Sequence, residues 1–379
     1  LSQAEAVAHY VLARGLHSLV VAGTHGKTTT SAMLAWILEQ SDLDPSYLIG
    51  GLPRWNRRGF RLGEGRHLVL EGDEYNSACF DRGPKFLHYR PRVFRLGPVE
   101  FDHADLYPNL EAVLTAFRAG AAQVPRTGAV VANAWSEPAI AAARDATAPL
   151  VQVGPHSNCD LRLLTWRTQG ERSIATLAWL GEEFELTLPM AGLHNLQNAA
   201  MALATAIFTG IDPATAVSVL GSFPGVARRM DVVGEVAGIT VVDDFAHHPT
   251  ALGVTIAAAR QRWPGRRLVI AFEPRSITAA RRSFHDAYLE SLARADFVMV
   301  APPFHRDRLD ATEVLDREEL AAALHAQGVE SAMPGDGADL VERLLEILKP
   351  GDVVVGCSSG AFDGIHRKLI EALATGEDR

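Results

Sequence analysis

The stretch Leu19-Val20-Val21-Ala22-Gly23-Thr24-His25-Gly26-Lys27-Thr28-Thr29-Thr30 decides the reading of this chain. An apolar run feeds a glycine-bounded turn, and the turn opens into a helical pattern over residues 29–39. The order strand, glycine turn, helix start is that of a phosphate loop. Glycines let backbone N–H groups approach phosphate oxygens closely, and the helix end adds partial positive charge. Lys27 can reach the outer phosphates, and the Thr28 hydroxyl suits the magnesium that travels with them. The general pattern places its first glycine five residues before the second. Val21 holds that place here, and the leading glycine is Gly23, so the loop is a short variant. The bland alternative is an ordinary strand-to-helix turn with a solvated lysine. Gly-Lys-Thr directly after a buried-looking strand favours the phosphate loop.

The surrounding composition suits an enzyme in the cytoplasm. With 379 residues the chain is long enough for two or three domains with real cores. Its 36 basic and 45 acidic residues give a net charge of −9, which disfavours nucleic acid or an anionic membrane as partner. No apolar run reaches the 18 or so residues of a membrane span. Cys79, Cys159 and Cys357 lie far apart without metal spacing and read as reduced thiols. The N-terminus resembles no signal peptide. It lacks methionine and starts inside an amphipathic pattern (Ala6, Val7, Tyr10, Val11), as if cut from a longer chain.

Apolar runs alternate with helical patterns, which predicts α/β layers around largely parallel sheets. The first runs are 17–22, 67–70, 92–96 and 129–132, with helices including 31–39 and 110–122. Residues 161–188 alternate around Gly170 and Gly181, predicting a small antiparallel meander. A strongly apolar helix follows over 195–208. Ser222-Phe223-Pro224-Gly225 then breaks the pattern. Beyond it, strands are expected at 240–243, 268–272, 297–300 and 352–355, with a last helix from about 361 to 374.

Several strand ends carry ionisable groups. Glu71, Asp73 and Glu74 follow the second run, and Glu71, first after it, is the best candidate for a magnesium ligand. His103 sits among Glu100, Asp102 and Asp105; metal binding, phosphate orientation and a structural hydrogen bond all remain open for it. Asn195 and Asn198 lie three apart on one helical face. Asn195 suits an N-cap or a ligand contact. Asn198, mid-helix, suits a contact to a base edge. Arg228-Arg229 either meet a phosphate or are solvated. Asp243, Asp244, His247 and His248 crowd another strand tip, with Pro249 fit for the first turn of the next helix. Arg275 ends a further strand and could clamp a carboxylate.

Six segments in this order resemble the motifs of the Mur ligases, the ATP-dependent amide-forming enzymes of peptidoglycan synthesis. They are GTHGKTTT at 23–30, EGDEYNSACFD at 71–81, EFDHAD at 100–105, HNLQN at 194–198, GVARRMD at 225–231 and DDFAHHPT at 243–250. The resemblance covers nearly the whole chain. It implies a connector stub at 1–16, a central phosphate-loop ATPase domain at 17–223 and a Rossmann-like α/β ligase domain at 224–379. It implies that Gly23, Thr24, His25, Gly26, Lys27, Thr28 and Thr29 cradle ATP. Thr28, Glu71 and His103 would be Mg2+ ligands. Asn195 and Asn198 would meet the nucleotide, Arg229 the γ-phosphate, and Asp243, Asp244 and His247 the ATP edge. Lys27, Glu71, His103 and Arg229 would carry the chemistry, and Arg275 and His248 would meet the peptide.

The Asp73-Glu74-Tyr75 and 85–92 segments look most like the recycling branch. That branch joins UDP-N-acetylmuramate to the tripeptide L-alanyl-γ-D-glutamyl-meso-diaminopimelate through an acyl phosphate. The sibling that adds L-alanine carries serine where Tyr75 stands. An unrelated phosphate-loop NTPase and a non-catalytic nucleotide-binding regulator are further alternatives; the short glycine spacing and the retained site residues argue against them. The chain also departs from the family. Its UDP-binding N-terminal domain is expected to be missing. Asn76 replaces an aspartate and Ile277 an asparagine, and Gly97-Pro98 replaces an asparagine-containing stretch. Arg118 stands where several siblings carry a carbamylated lysine; the L-alanine-adding branch is also thought to lack that lysine.

Overall fold

A computed structural model describes residues 1–304 and 306–376. The chain divides into two compact units, Leu1–Ala227 and Arg228–Arg379.

The first unit is built on a ten-stranded sheet. Its strands are β1 (His17–Ala22), β2 (Ser46–Leu48), β3 (Phe60–Arg61), β4 (His67–Gly72), β7 (Val93–Leu96), β8 (Ala129–Asn133), β9 (Leu150–Gly154), β10 (Leu161–Gln169), β11 (Arg172–Trp179) and β12 (Glu182–Leu188). A separate ribbon pairs β5 (Asn76–Ala78) with β6 (Asp81–Pro84). The sheet order is β12-β11-β10-β9-β8-β7-β1-β4-β2-β3. The run from β10 to β2 is parallel throughout. The expected meander is present as β10–β12, but it continues the main sheet, because β10 also pairs in parallel with β9.

Alternation along β1 shows why the strand is apolar on both faces. Leu19 and Val21 join one core with Val69, Val93 and Val131, under helices α2 (Lys27–Gln40), α5 (Leu193–Phe208) and α6 (Pro213–Leu220). Val20 and Ala22 join the other with Leu70, Phe94 and Val130, under α3 (Leu110–Ala122) and α4 (Glu137–Ala143). Parallel strands covered on both faces need such runs. The aromatic group Phe86, Phe94 and Phe117, with ring centroids 5.5 Å apart, fills the second layer. Removing a buried ring of this kind typically costs about 3–5 kcal/mol. A short helix α1 (Gln3–Ala6), capped by Ser2, begins a helical stretch that ends at Gly15, whose φ is +81°.

The second unit has six strands in the order β13-β14-β18-β15-β16-β17. These are β13 (Asp231–Val236), β14 (Ile239–Asp244), β15 (Leu268–Phe272), β16 (Phe297–Val300), β17 (Glu330–Ala332) and β18 (Val353–Cys357). Among the described residues, only β13 runs antiparallel to its neighbour. Val242, Ile270 and Val355 face a core with α7 (Pro249–Arg262), α8 (His285–Leu292) and α9 (Arg317–Ala326). Val241, Val269 and Val354 face α10 (Gly337–Ile347) and α11 (Ile365–Gly376). This is mixed α/β architecture with largely parallel sheets, as expected. Pro249 opens α7, where its missing N–H costs nothing.

Candidate active site

β1, β4 and β7 are adjacent and parallel, so their C-terminal ends share one edge of the first unit. Ligands in open α/β sheets bind at such an edge. The loop between β1 and α2 is fixed by two glycines. Gly23 has φ +123°, and a Cβ there would lie 2.8 Å from the Gly97 backbone. Gly26 has φ +77°, and a Cβ there would lie 2.2 Å from Asn198 Oδ1. The helix begins at Lys27, two residues before the expected start. Gly26 makes the turn in the left-handed region that glycine tolerates. The first amides of α2 therefore point out of the sheet edge as ready anion donors.

Neighbouring loops hold this segment. Thr24 N donates to Pro98 O at 2.8 Å, and Thr24 Oγ1 accepts from Glu100 N at 3.0 Å. His25 Nε2 lies 3.1 Å from Glu100 Oε2. Thr29 is buried, and Thr30 Oγ1 donates to Asn198 Oδ1 at 3.2 Å.

Two polar pairs leave the loop. Thr28 Oγ1 donates to Glu71 Oε1 at 2.7 Å, while Gly50 N donates to Glu71 Oε2 at 2.6 Å. Lys27 Nζ donates to Glu74 Oε2 at 2.8 Å and to Gly23 O at 2.9 Å. Glu74 also meets His103 Nε2 through Oε1 at 3.1 Å. Its backbone carbonyl accepts from Tyr107 Oη at 2.7 Å. Tyr75 covers the histidine, with ring centroids 4.2 Å apart.

The electrostatics follow from burial among opposite charges. Burial lowers the Lys27 pKa, but Glu74 and its neighbours outweigh this and raise it. Burial raises that of Glu74, and Lys27 with His103 brings it below the ordinary range. Burial and then Asp73 push Glu71 up. For His103, burial is outweighed by the Glu74 hydrogen bond and Asp102, and the net shift is upward. Thr28 and Glu71 present hard oxygen donors side by side, a set that fits magnesium. His103, the third expected ligand, meets Glu74 through Nε2.

The α5 asparagines are placed differently from one another. Gly192 is the N-cap, so Asn195 does not cap; its Nδ2 donates to Ala191 O at 2.8 Å. Asn198 packs its amide against the phosphate loop.

In the second unit, Asp243, Asp244 and His247 gather at the end of β14. Arg228 pairs with Asp243 at 3.1 Å and donates to the carbonyls of Ser358 and Gly360. Arg229 rests over the Phe245 ring at 4.7 Å. Asp244 accepts from Met230 N, Ala246 N and Thr255 Oγ1, and burial raises its pKa. His247 Nδ1 lies 3.1 Å from Phe245 O. His248 is the N-cap of α7. Arg275 lies 3.3 Å from Glu273 and stacks on Phe304 at 4.0 Å.

Sequence reasoning left Glu74 without a role, although it bridges Lys27 and His103. Spacing alone did not separate it from Asp73, which pairs with Lys85.

The chain matches the Mur ligase middle domain over residues 21–206 and the Mur ligase glutamate ligase domain over 228–360. It is 36% identical to the UDP-N-acetylmuramate–L-alanyl-γ-D-glutamyl-meso-2,6-diaminoheptandioate ligase of Escherichia coli. That match covers 97% of this chain and 78% of the relative. An L-alanine ligase of Chloroflexus aggregans is 34% identical over 94% of this chain and 77% of the relative. Among solved structures, a murein peptide ligase from Psychrobacter arcticus is 31% identical with a TM-score of 0.75. It covers 99% of this chain and 80% of that one. Among the described residues, no helix is long and apolar enough to cross a membrane. The matches span both units and agree with the six ordered motifs: the chain belongs to the Mur ligase family, whose members are ATP-dependent ligases that form amide bonds.

Proposed function

We propose that this protein joins UDP-N-acetylmuramate to L-alanyl-γ-D-glutamyl-meso-diaminopimelate, consuming ATP, in peptidoglycan recycling. The observation that carries the reading is the 36% identity, along 97% of the chain, to a ligase named for that reaction. The Lys27, Thr28, Glu71 and Glu74 array supplies matching nucleotide chemistry.

A carboxylate does not acylate an amine in neutral water, because oxide is too poor a leaving group. Transfer of the γ-phosphoryl group to the lactyl carboxylate releases ADP and leaves an acyl phosphate. The tripeptide α-amine attacks the carbonyl carbon, loses a proton and expels phosphate. The protein's part is positioning and charge neutralisation. Lys27 and the first α2 amides hold the phosphates, and Gly23 and Gly26 keep the backbone close to them. Thr28 and Glu71 would hold magnesium, which neutralises phosphate charge when bound; His103 orients Glu74. Asn195 and Asn198 serve the nucleotide side.

In the second unit the reading assigns Arg229 to the γ-phosphate. It assigns Asp243, Asp244 and His247 to the nucleotide, and Arg275 with His248 to the peptide. Residues 1–16 act as a connector, 17–223 as the ATPase domain and 224–379 as the ligase domain. Three unpaired cysteines suit a cytoplasmic setting.

Product mass spectrometry tests the reading. The full-length protein is given ATP, magnesium and UDP-N-acetylmuramate, with tripeptide or with L-alanine. Tripeptide product is expected; product from L-alanine alone would move the chain to the sibling activity.

A further inference from the structure

We propose that Arg95 is an electrostatic determinant of nucleotide affinity, a buried cation behind the phosphate loop whose charge the phosphates of the nucleotide neutralise. The proposal rests on the nucleotide reading above.

Arg95 is the third residue of β7 and pairs in register with Val21 of β1. By strand alternation it shares its face with Val93, among the apolar residues under α2 and α5. Its exposure is 0%. Nη1 donates to Ala22 O at 3.2 Å, at the root of the phosphate loop. Among the described residues, Nε and Nη2 have no hydrogen-bond partner. No carboxylate pairs with this guanidinium among the described residues. Burial pushes its pKa down to about 9, so it is still a cation at neutral pH.

The placement relative to the loop is close. A Cβ on Gly97 would lie 2.4 Å from Arg95 Nη1 and 3.2 Å from the His25 carbonyl oxygen. Gly23 in turn abuts the Gly97 backbone. Loop, Gly97 and guanidinium are therefore packed in layers, and glycine at 97 leaves the room that the arginine fills.

A buried charge without a counter-ion is costly, and a fold retains one only against some other gain. Lys27 does not offer its charge freely, because Glu74 already holds it at 2.8 Å. Arg95 is thus an uncompensated positive charge beside the loop. In a low-dielectric interior its field reaches the phosphates with little screening. The effect should scale with phosphate charge and not depend on the base.

The test measures binding of ATP, ADP and adenosine by calorimetry, with the melting temperature of the free protein alongside. In R95M, ATP should bind about tenfold or more weakly, a loss of about 1.4 kcal/mol or more. ADP should lose less and adenosine nothing. The free variant should melt no lower than wild type, because the buried charge is gone. R95K should keep the graded preference. R95Q repeats the series if R95M does not fold. Equal loss for all three ligands, with a lower melting temperature, would show that Arg95 only shapes the strand end through Ala22 and would overturn the proposal. Unchanged ATP affinity would overturn it as well. Wild-type protein that binds no ATP overturns the nucleotide reading and this proposal together.

Discussion

Lys27 and Glu74 form an ion pair of 2.8 Å with 10% and 2% of their side chains exposed. The lysine of the phosphate loop is thus held by a carboxylate from the tip of β4, and that carboxylate is steadied by His103. An arriving phosphate meets a lysine that is ordered but already partnered. Binding must share or exchange that partner.

Replacing Glu74 therefore removes the partner of a buried cation. Glu74→Gln should lower the stability of the free protein by about 3 kcal/mol, as for other buried pairs broken on one side. Saturating ATP with magnesium should restore part of that loss, since the phosphates take over the lysine and binding stabilises the folded state. Thermal melts with and without nucleotide read this out; an equal deficit in both conditions would contradict it.

Lys27→Ala should abolish ATP turnover while the protein remains folded. The side chain reaches Gly23 O, Thr24 O and Glu74 and fills no apolar core. Circular dichroism establishes the fold and phosphate release the activity. A folded variant with normal turnover would remove the phosphate-loop assignment.

Glu71 and Asp73 are both acids after the same strand, but their partners differ. Glu71 accepts from Thr28, and Asp73 pairs with Lys85 at 3.0 Å in a partly exposed position. Glu71→Gln should raise the magnesium concentration needed for half-maximal activity well beyond the effect of Asp73→Asn. Titrating magnesium against both variants decides it, and equal shifts would mean that the acids act as a group.

Low pH should weaken the first unit through His67. Burial, then the charges of His17, Arg66 and Arg92, bring its pKa to about 4 from an unfolded value near 6.5. Between these values the unfolded chain binds the extra proton. Stability is complete above about pH 6.5 and declines as pH falls toward 4. His194, lowered to about 4 by burial, acts in the same direction. Urea midpoints at about pH 7 and about pH 5 should diverge less for His67→Leu than for wild type. Identical divergence would place the sensitivity elsewhere.

The sequence made β1 legible because a strand buried on both faces leaves an unbroken apolar run, and residues 268–272 and 297–300 were readable for the same reason. The association of Thr28 with Glu71 was anticipated from the motif and the next strand's tip. Other features depend on tertiary geometry. The turn after Gly72 sends Asp73 toward Lys85 and Glu74 toward Lys27, which no spacing rule encodes. Arg95 hides in a strand pattern because a charged residue between Phe94 and Leu96 reads as a solvent-facing position. β13 was missed: Gly234 and the charged residues at its ends dilute the apolar signal.

Gly26 and Asn198 offer the most direct test of how α5 holds the phosphate loop. Gly26→Ala places a side chain on backbone with φ +77°, which disfavours L-residues by roughly 1–2 kcal/mol. The same Cβ would also press on Asn198 Oδ1, 2.2 Å away. The single variant should therefore lose both stability and ATP affinity. Asn198→Ala alone should cost less, through the lost acceptor for Thr30 Oγ1. In the double variant the steric conflict is absent, while the backbone strain and the lost acceptor for Thr30 Oγ1 remain. Its destabilisation should be smaller than the sum of the singles by about 0.5–3 kcal/mol, the range for residues in contact. Denaturant melts of the four proteins give the coupling. Strict additivity would show that Asn198 does not brace the loop, and its place on α5 would then have to be explained by the nucleotide alone.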